Sequence, residues 1–131
     1  MGQPAASGAS MVMAIDTHIV MIPSPGGPIP TPLPSPFQGQ LNSGLVPTVK
    51  IAGQPAAVVG SGADNVPPHI PAGGPFQAPP SNKATIQQGS TSVKFGGKFA
   101  ARNLDPVVTC DDLSPGAAKG QVIAFGTVMV G

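Results

Sequence analysis

Two ten-residue stretches with one shared grammar constrain this chain more than any other feature of it. Thr48-Val49-Lys50-Ile51-Ala52-Gly53-Gln54-Pro55-Ala56-Ala57 and Ser92-Val93-Lys94-Phe95-Gly96-Gly97-Lys98-Phe99-Ala100-Ala101 each read as a short alternating strand, a glycine turn and a pair of alanines. A third copy is divided between the ends of the sequence: Thr127-Val128-Met129-Val130-Gly131 supplies strand and turn, and Gly2-Gln3-Pro4-Ala5-Ala6 the continuation. The geometric reading is that the last strand returns to the first residues, so that three quasi-equivalent modules close around one axis. In the first full copy Val49 and Ile51 share one face and Thr48 and Lys50 the other, as a half-buried strand requires. Gly53 falls where the turn demands positive φ.

Eighteen glycines and eighteen prolines in 131 residues would suit a disordered chain. A hydrophobic fraction of 40% with only 8% charged residues is the reverse of the disordered signature. Helix is disfavoured, because an interior Pro costs ~3 kcal/mol and an interior Gly ~1 kcal/mol. The expectation is therefore an all-β fold in a single domain, 1–131: a compact cone of three pseudo-threefold strand-turn modules, closed by the N- and C-terminal segments, with Pro/Gly-rich loops.

Residues 22–47 carry a proline tract, Ile22-Pro23-Ser24-Pro25-Gly26-Gly27-Pro28-Ile29-Pro30-Thr31-Pro32-Leu33-Pro34-Ser35-Pro36-Phe37-Gln38. Proline fixes φ and removes donors, which favours extended polyproline backbone over any hydrogen-bonded ladder. An echo at Gly73-Gly74-Pro75-Phe76-Gln77 suggests an expanded module loop, an ordered insertion packed on the cone. Read alone, Pro23 to Pro36 would instead make the chain a proline-rich protein-interaction module. The slender shape expected leaves too little cross-section for a proper hydrophobic core.

Several function classes fall away on charge and hydropathy. A net charge of +1 from scattered basic residues gives no case for nucleic acid. The N-terminus lacks a charged secretory n-region, and its apolar run Met11 to Ile15 is broken at Asp16. No stretch approaches the ~18 apolar residues of a membrane span. A single cysteine excludes an intramolecular disulfide.

The chain has two histidines, and each lies twelve residues after a repeat alanine: His18 after Ala6 and His69 after Ala57. The third module places Cys110 nine residues after Ala101. Convergence on a pseudo-threefold axis would bring two imidazoles and one thiol to a common metal ion. Zn²⁺ suits that donor set, with Fe²⁺ as the competitor. Water, Asp16, Asp111 or Asp112 could supply a fourth ligand. An open fourth position would also suit a small zinc hydrolase, but five acidic residues offer little catalytic machinery, so no enzymatic activity is expected.

Gln54-Pro55-Ala56-Ala57, Gly97-Lys98-Phe99-Ala100-Ala101-Arg102 and the split copy Gln3-Pro4-Ala5-Ala6 resemble the repeats of the PAAR-repeat proteins, the cone-shaped tips of contractile injection machines. The resemblance spans essentially the whole chain. It implies a compact β structure with zinc near its vertex, His18, His69 and Cys110 being the matching ligands of a site that usually has three histidines and one cysteine. It also implies a flat base docked, as a monomer, on a trimeric spike (valine-glycine-repeat or phage spike-like) of a type VI secretion system, a contractile phage tail or an extracellular contractile particle. Such a protein is made in the bacterial cytoplasm, assembles at the spike apex and meets a target membrane only during puncture. This sequence departs from the pattern in having no third histidine and no Gly-Asp after the alanine motif. Its proline tract leans toward the phage-tail or extracellular-particle branch.

Overall fold

The computed structural model describes residues 2–131. Twelve strands run in chain order: β1 (Gln3–Pro4), β2 (Met11–Ile22), β3 (Ile29–Ser43), β4 (Val46–Ile51), β5 (Gln54–Ala56), β6 (Gly62–Asp64), β7 (Lys83–Ile86), β8 (Lys94–Phe95), β9 (Lys98–Phe99), β10 (Pro106–Val108), β11 (Gly120–Ile123) and β12 (Met129–Val130). Among the described residues there is no helix, and the fold is all-β.

The repeats become three small antiparallel hairpins. Residues Ala52 and Gly53, at φ 51° and 85°, turn β4 into β5, and Gly96 and Gly97, at 59° and 85°, turn β8 into β9. Positive φ at both central residues is the geometry that matches the twist of a two-residue hairpin. The third hairpin pairs β12 with β1, Val130 opposite Gln3 and Met129 opposite Pro4. The two ends of the sequence thus meet, as the split repeat requires.

Beyond each hairpin the paired alanines form a ring. Ala6 N–H donates to Ala101 O (2.9 Å), Ala101 N–H to Ala57 O (3.0 Å) and Ala57 N–H to Ala6 O (3.0 Å). A second cyclic set surrounds it: Gly8 to Pro55 (2.9 Å), Val59 to Phe99 (2.9 Å) and Asn103 to Pro4 (2.8 Å). All three ring alanines are fully buried, and three backbones can meet at an axis only behind side chains this small. Four residues further on, the side chains of Ser10, Ser61 and Asp105 accept from the N–H groups of Ser7, Val58 and Arg102. Each module therefore turns with the same side-chain cap.

From the ring the chain enters a closed six-stranded barrel in the order β10-β11-β2-β3-β6-β7, three hairpins joined edge to edge. Closure removes sheet edges. Inside lies a core built from Val12, Phe37, Leu41, Ala63, Ile86, Val107 and Val122, together with the ring alanines. The expectation of too narrow a body for a hydrophobic core is corrected here. Pleated strands send every second side chain inward, and six of them enclose enough volume. Truncating a buried Leu or Phe in such a core costs about 2–5 kcal/mol.

Residues 22–47 are likewise not a loop insertion. After a turn at 23–28, closed by Gly27 N–H to Ser24 O (3.0 Å), the tract becomes β3 and pairs with β2 from Ile22↔Ile29 to Met11↔Gln40. Pro30, Pro32, Pro34 and Pro36 stand opposite Met21, Ile19, Thr17 and Ile15. Met21, Ile19 and Thr17 direct their N–H groups away from β3, to Pro75 O, Asp112 and Asp111. The prolines therefore occupy pair positions that exchange no hydrogen bond. Their missing donors would have faced outward, and all four rings are exposed. Proline on an outer edge also blocks unwanted strand pairing.

Candidate metal centre

Strand β11 ends opposite Met11, Val12 and Met13, so the rest of β2 projects past the barrel with β3 alone beside it. Two loops cover this projection. The segment 109–119 docks through Asp111 Oδ1 accepting Thr17 N–H (2.5 Å), Asp112 Oδ2 accepting Ile19 N–H (3.0 Å) and Asp112 N–H donating to Thr17 O (2.9 Å). Further out, Gln77 N–H donates to Ile19 O (2.8 Å) and Met21 N–H to Pro75 O (2.8 Å). The Gly73–Gln77 echo is thus a side wall of the projection.

Asp16 and His18, two residues apart on β2, share its inward face, and both are fully buried. Donor atoms of Asp16, His18, His69 and Cys110 all lie within 4.8 Å of one another. Cys110 Sγ is 3.7 Å from His18 Nε2 and 3.4 Å from Asp16 Oδ2, and His69 Nε2 is 3.2 Å from that same oxygen. The three residues singled out from the sequence are brought together, and Asp16 is the carboxylate that joins them. Asp111 and Asp112 are not in the cluster. Asp111 caps Thr17 and Ser114 N–H and pairs with Lys119 (3.3 Å), while Asp112 lies behind His18.

These donors fit a metal ion. A tetrahedral ion bound at ~2.0–2.1 Å to N and O and ~2.3 Å to S implies ligand separations of roughly 3.3–3.6 Å; the three distances above bracket that range, and the wider separations in the cluster, up to 4.8 Å, would close around an ion. His18 Nδ1 is buried without a hydrogen-bond partner. Asp112 Oδ1 is 3.2 Å from it, outside hydrogen-bonding geometry. A cation on Nε2 would leave the proton on Nδ1, beside that carboxylate, the usual support for a metal-bound imidazole.

Burial pushes the Cys110 thiol up to about 11, and the Asp16 carboxylate beside it adds to the rise. Burial also lowers the His69 pKa, against the opposing pull of Asp16, so the imidazole is neutral near pH 7. Asn65 Nδ2 donates to His69 Nδ1 (3.1 Å), leaving the ring proton on Nε2, directed at Asp16. Coordination through Nε2 would move that proton to Nδ1, and Asn65 must then present its oxygen there.

Several supporting residues carried no signal in the repeats. Thr109 Oγ1 donates to Asp16 Oδ1. Asn82, at φ 57°, accepts His69 N–H on its side chain (2.8 Å). Phe76 packs edge-on to His18 at 5.5 Å and Phe37 to His69 at 6.1 Å between ring centres. Asp16 had a readable signal, a carboxylate two residues before a candidate ligand in a strand. Asn82 and Thr109 had none.

No protein-family model matches the chain, and no curated protein matches it in sequence. Among the described residues, no helix is long and apolar enough to cross a membrane.

Proposed function

We propose that the chain is a structural, metal-stapled tip that caps the trimeric central spike of a contractile injection machine, as its resemblance to PAAR-repeat proteins implies. The observation that carries this reading is the cyclic hydrogen bonding of Ala6, Ala57 and Ala101. It gives one chain the symmetry of a three-chain partner, with three hairpins side by side at one end and the metal centre toward the other. One such monomer can meet three identical chains in quasi-equivalent ways.

Asp16, His18, His69 and Cys110 hold Zn²⁺ in this reading, Fe²⁺ being the competitor, since mixed O, N and S donors suit those ions better than Mg²⁺ or Ca²⁺. Bound there, the ion supplies cross-linking. It ties β2 to the loops 65–82 and 109–119, which no sheet hydrogen bond joins to each other at that point. Four protein donors leave no open position for substrate, which favours a structural role over a hydrolase. The proline tract, held in β3, offers no free polyproline segment to a partner domain.

Native mass spectrometry of the purified protein with a trimeric β-helical spike tests the capping role. One chain per trimer is expected; three chains per trimer, or no complex, would remove it.

A further inference from the structure

The charged side chains are distributed unevenly along the axis. All five carboxylates of the sequence lie outside the three small hairpins. Lys83 pairs with Asp64, Arg102 with Asp105 and Lys119 with Asp111. The remaining cations, Lys50 on β4, Lys94 on β8 and Lys98 on β9, are exposed and in no ion pair among the described residues. The hairpin end therefore carries three lysine ammonium groups and no side-chain carboxylate, on a chain whose net charge is only +1.

Strand alternation sets how that charge is presented. Ile51, Phe95 and Val130 pack with Ala5 and Ala100 around the axis, so the preceding residues Lys50, Lys94 and Met129 face outward. Lys94 Nζ lies over the Phe99 ring, 4.8 Å from its centre, which restrains its long side chain. Lys98 stands beside the turn, opposite Phe95. The result is an apolar centre, with Ile51 and Phe95 still partly exposed, inside a rim of ammonium groups. Two of the three equivalent corners are Lys and the third is Met129.

We propose that this face takes the end of a trimeric protein whose apolar centre is ringed by carboxylates. The inference rests on the tip reading and adds to it the chemistry of the partner. The carboxylate facing Met129 stays hydrated at the rim and carries little penalty. Charges so placed act mainly on encounter rate and on discrimination, by repelling ends ringed with lysine.

The test uses two versions of one designed trimeric β-helix with the same apolar end, ringed by Glu in one and by Lys in the other. At 0.1 M salt the wild-type chain should bind the Glu-ringed trimer at least about tenfold more tightly, and the difference should collapse at 1 M, where the screening length falls from ~10 Å to ~3 Å. The triple variant Lys50→Glu, Lys94→Glu, Lys98→Glu should reverse the order. Its unchanged metal content and melting temperature confirm that it folds. Equal binding of the wild type to both trimers overturns the charge inference while the capping role stands. Binding to neither overturns both.

Discussion

Asp16 Oδ2 lies 3.2 Å from His69 Nε2, although 53 residues separate the two in sequence. The contact brings an inward carboxylate of β2 to a loop that reaches over it, and Cys110 approaches the same oxygen. Asp16→Asn preserves the shape and the Thr109 contact but removes the charge. It should weaken zinc binding by at least about tenfold, since removing even an outer partner of a ligand costs 10–100-fold. Competition against a chromophoric chelator measures this, with circular dichroism confirming the fold. An unchanged affinity would exclude Asp16 from the centre.

Proton release should accompany binding. With the Cys110 thiol pushed up to about 11, the free protein carries that proton throughout the neutral range, and a metal must expel it. Affinity should therefore rise about tenfold per pH unit from pH ~7 towards ~10, for one proton released. His69, its pKa lowered chiefly by burial, is already neutral and adds no further dependence there. Calorimetry in two buffers of different ionisation enthalpy should return one proton per metal. A value of zero would mean that the sulfur is not a ligand.

The modular skeleton was legible because it repeats. Gln3-Pro4-Ala5-Ala6 and Gln54-Pro55-Ala56-Ala57 are the same letters, and identical backbone demands at an axis leave alanine as the side chain that fits. His18 and His69 inherit that register, which is why their shared spacing predicted their meeting. Cys110 does not keep it. It lies two residues past β10, nine rather than twelve after its alanine, where the chain has already left the strand for the loop that folds back on β2. Asp16 has no counterpart in the other modules, so repetition could not select it. The proline tract was misread because counting lost donors says nothing of which edge loses them. At alternate positions of an outer strand, the donors removed are those that face no neighbour.

The ring makes a symmetric prediction. Ala6→Val, Ala57→Val and Ala101→Val each force two methyl groups into a fully buried site, and overpacking of this kind costs about 1–3 kcal/mol. Urea denaturation should show similar losses at all three positions. One position tolerating valine without loss would mean that the backbone ring is not equivalent in its packing.

Proline placement on β3 makes an alternating prediction. Pro32→Ala should change stability by no more than ~0.5 kcal/mol, as surface substitutions do, while restoring an outward donor that promotes self-association. Thr31→Pro removes a donor aimed at β2 and leaves its acceptor unsatisfied, costing about 2 kcal/mol. Thermal melts and sedimentation measure both. The reverse order would contradict the strand register.

The central claim is that one ion ties β2 to the two loops through Asp16, His18, His69 and Cys110. X-ray absorption of protein purified without chelator, with its metal content counted, tests it most directly. One zinc per chain is expected, with a single sulfur at ~2.3 Å and three N or O donors at ~2.0–2.1 Å, and with metal lost in His69→Ala and Cys110→Ala. Less than about 0.3 metal per chain, below what ordinary loss during purification explains, or a bound metal with no sulfur neighbour, would contradict the account.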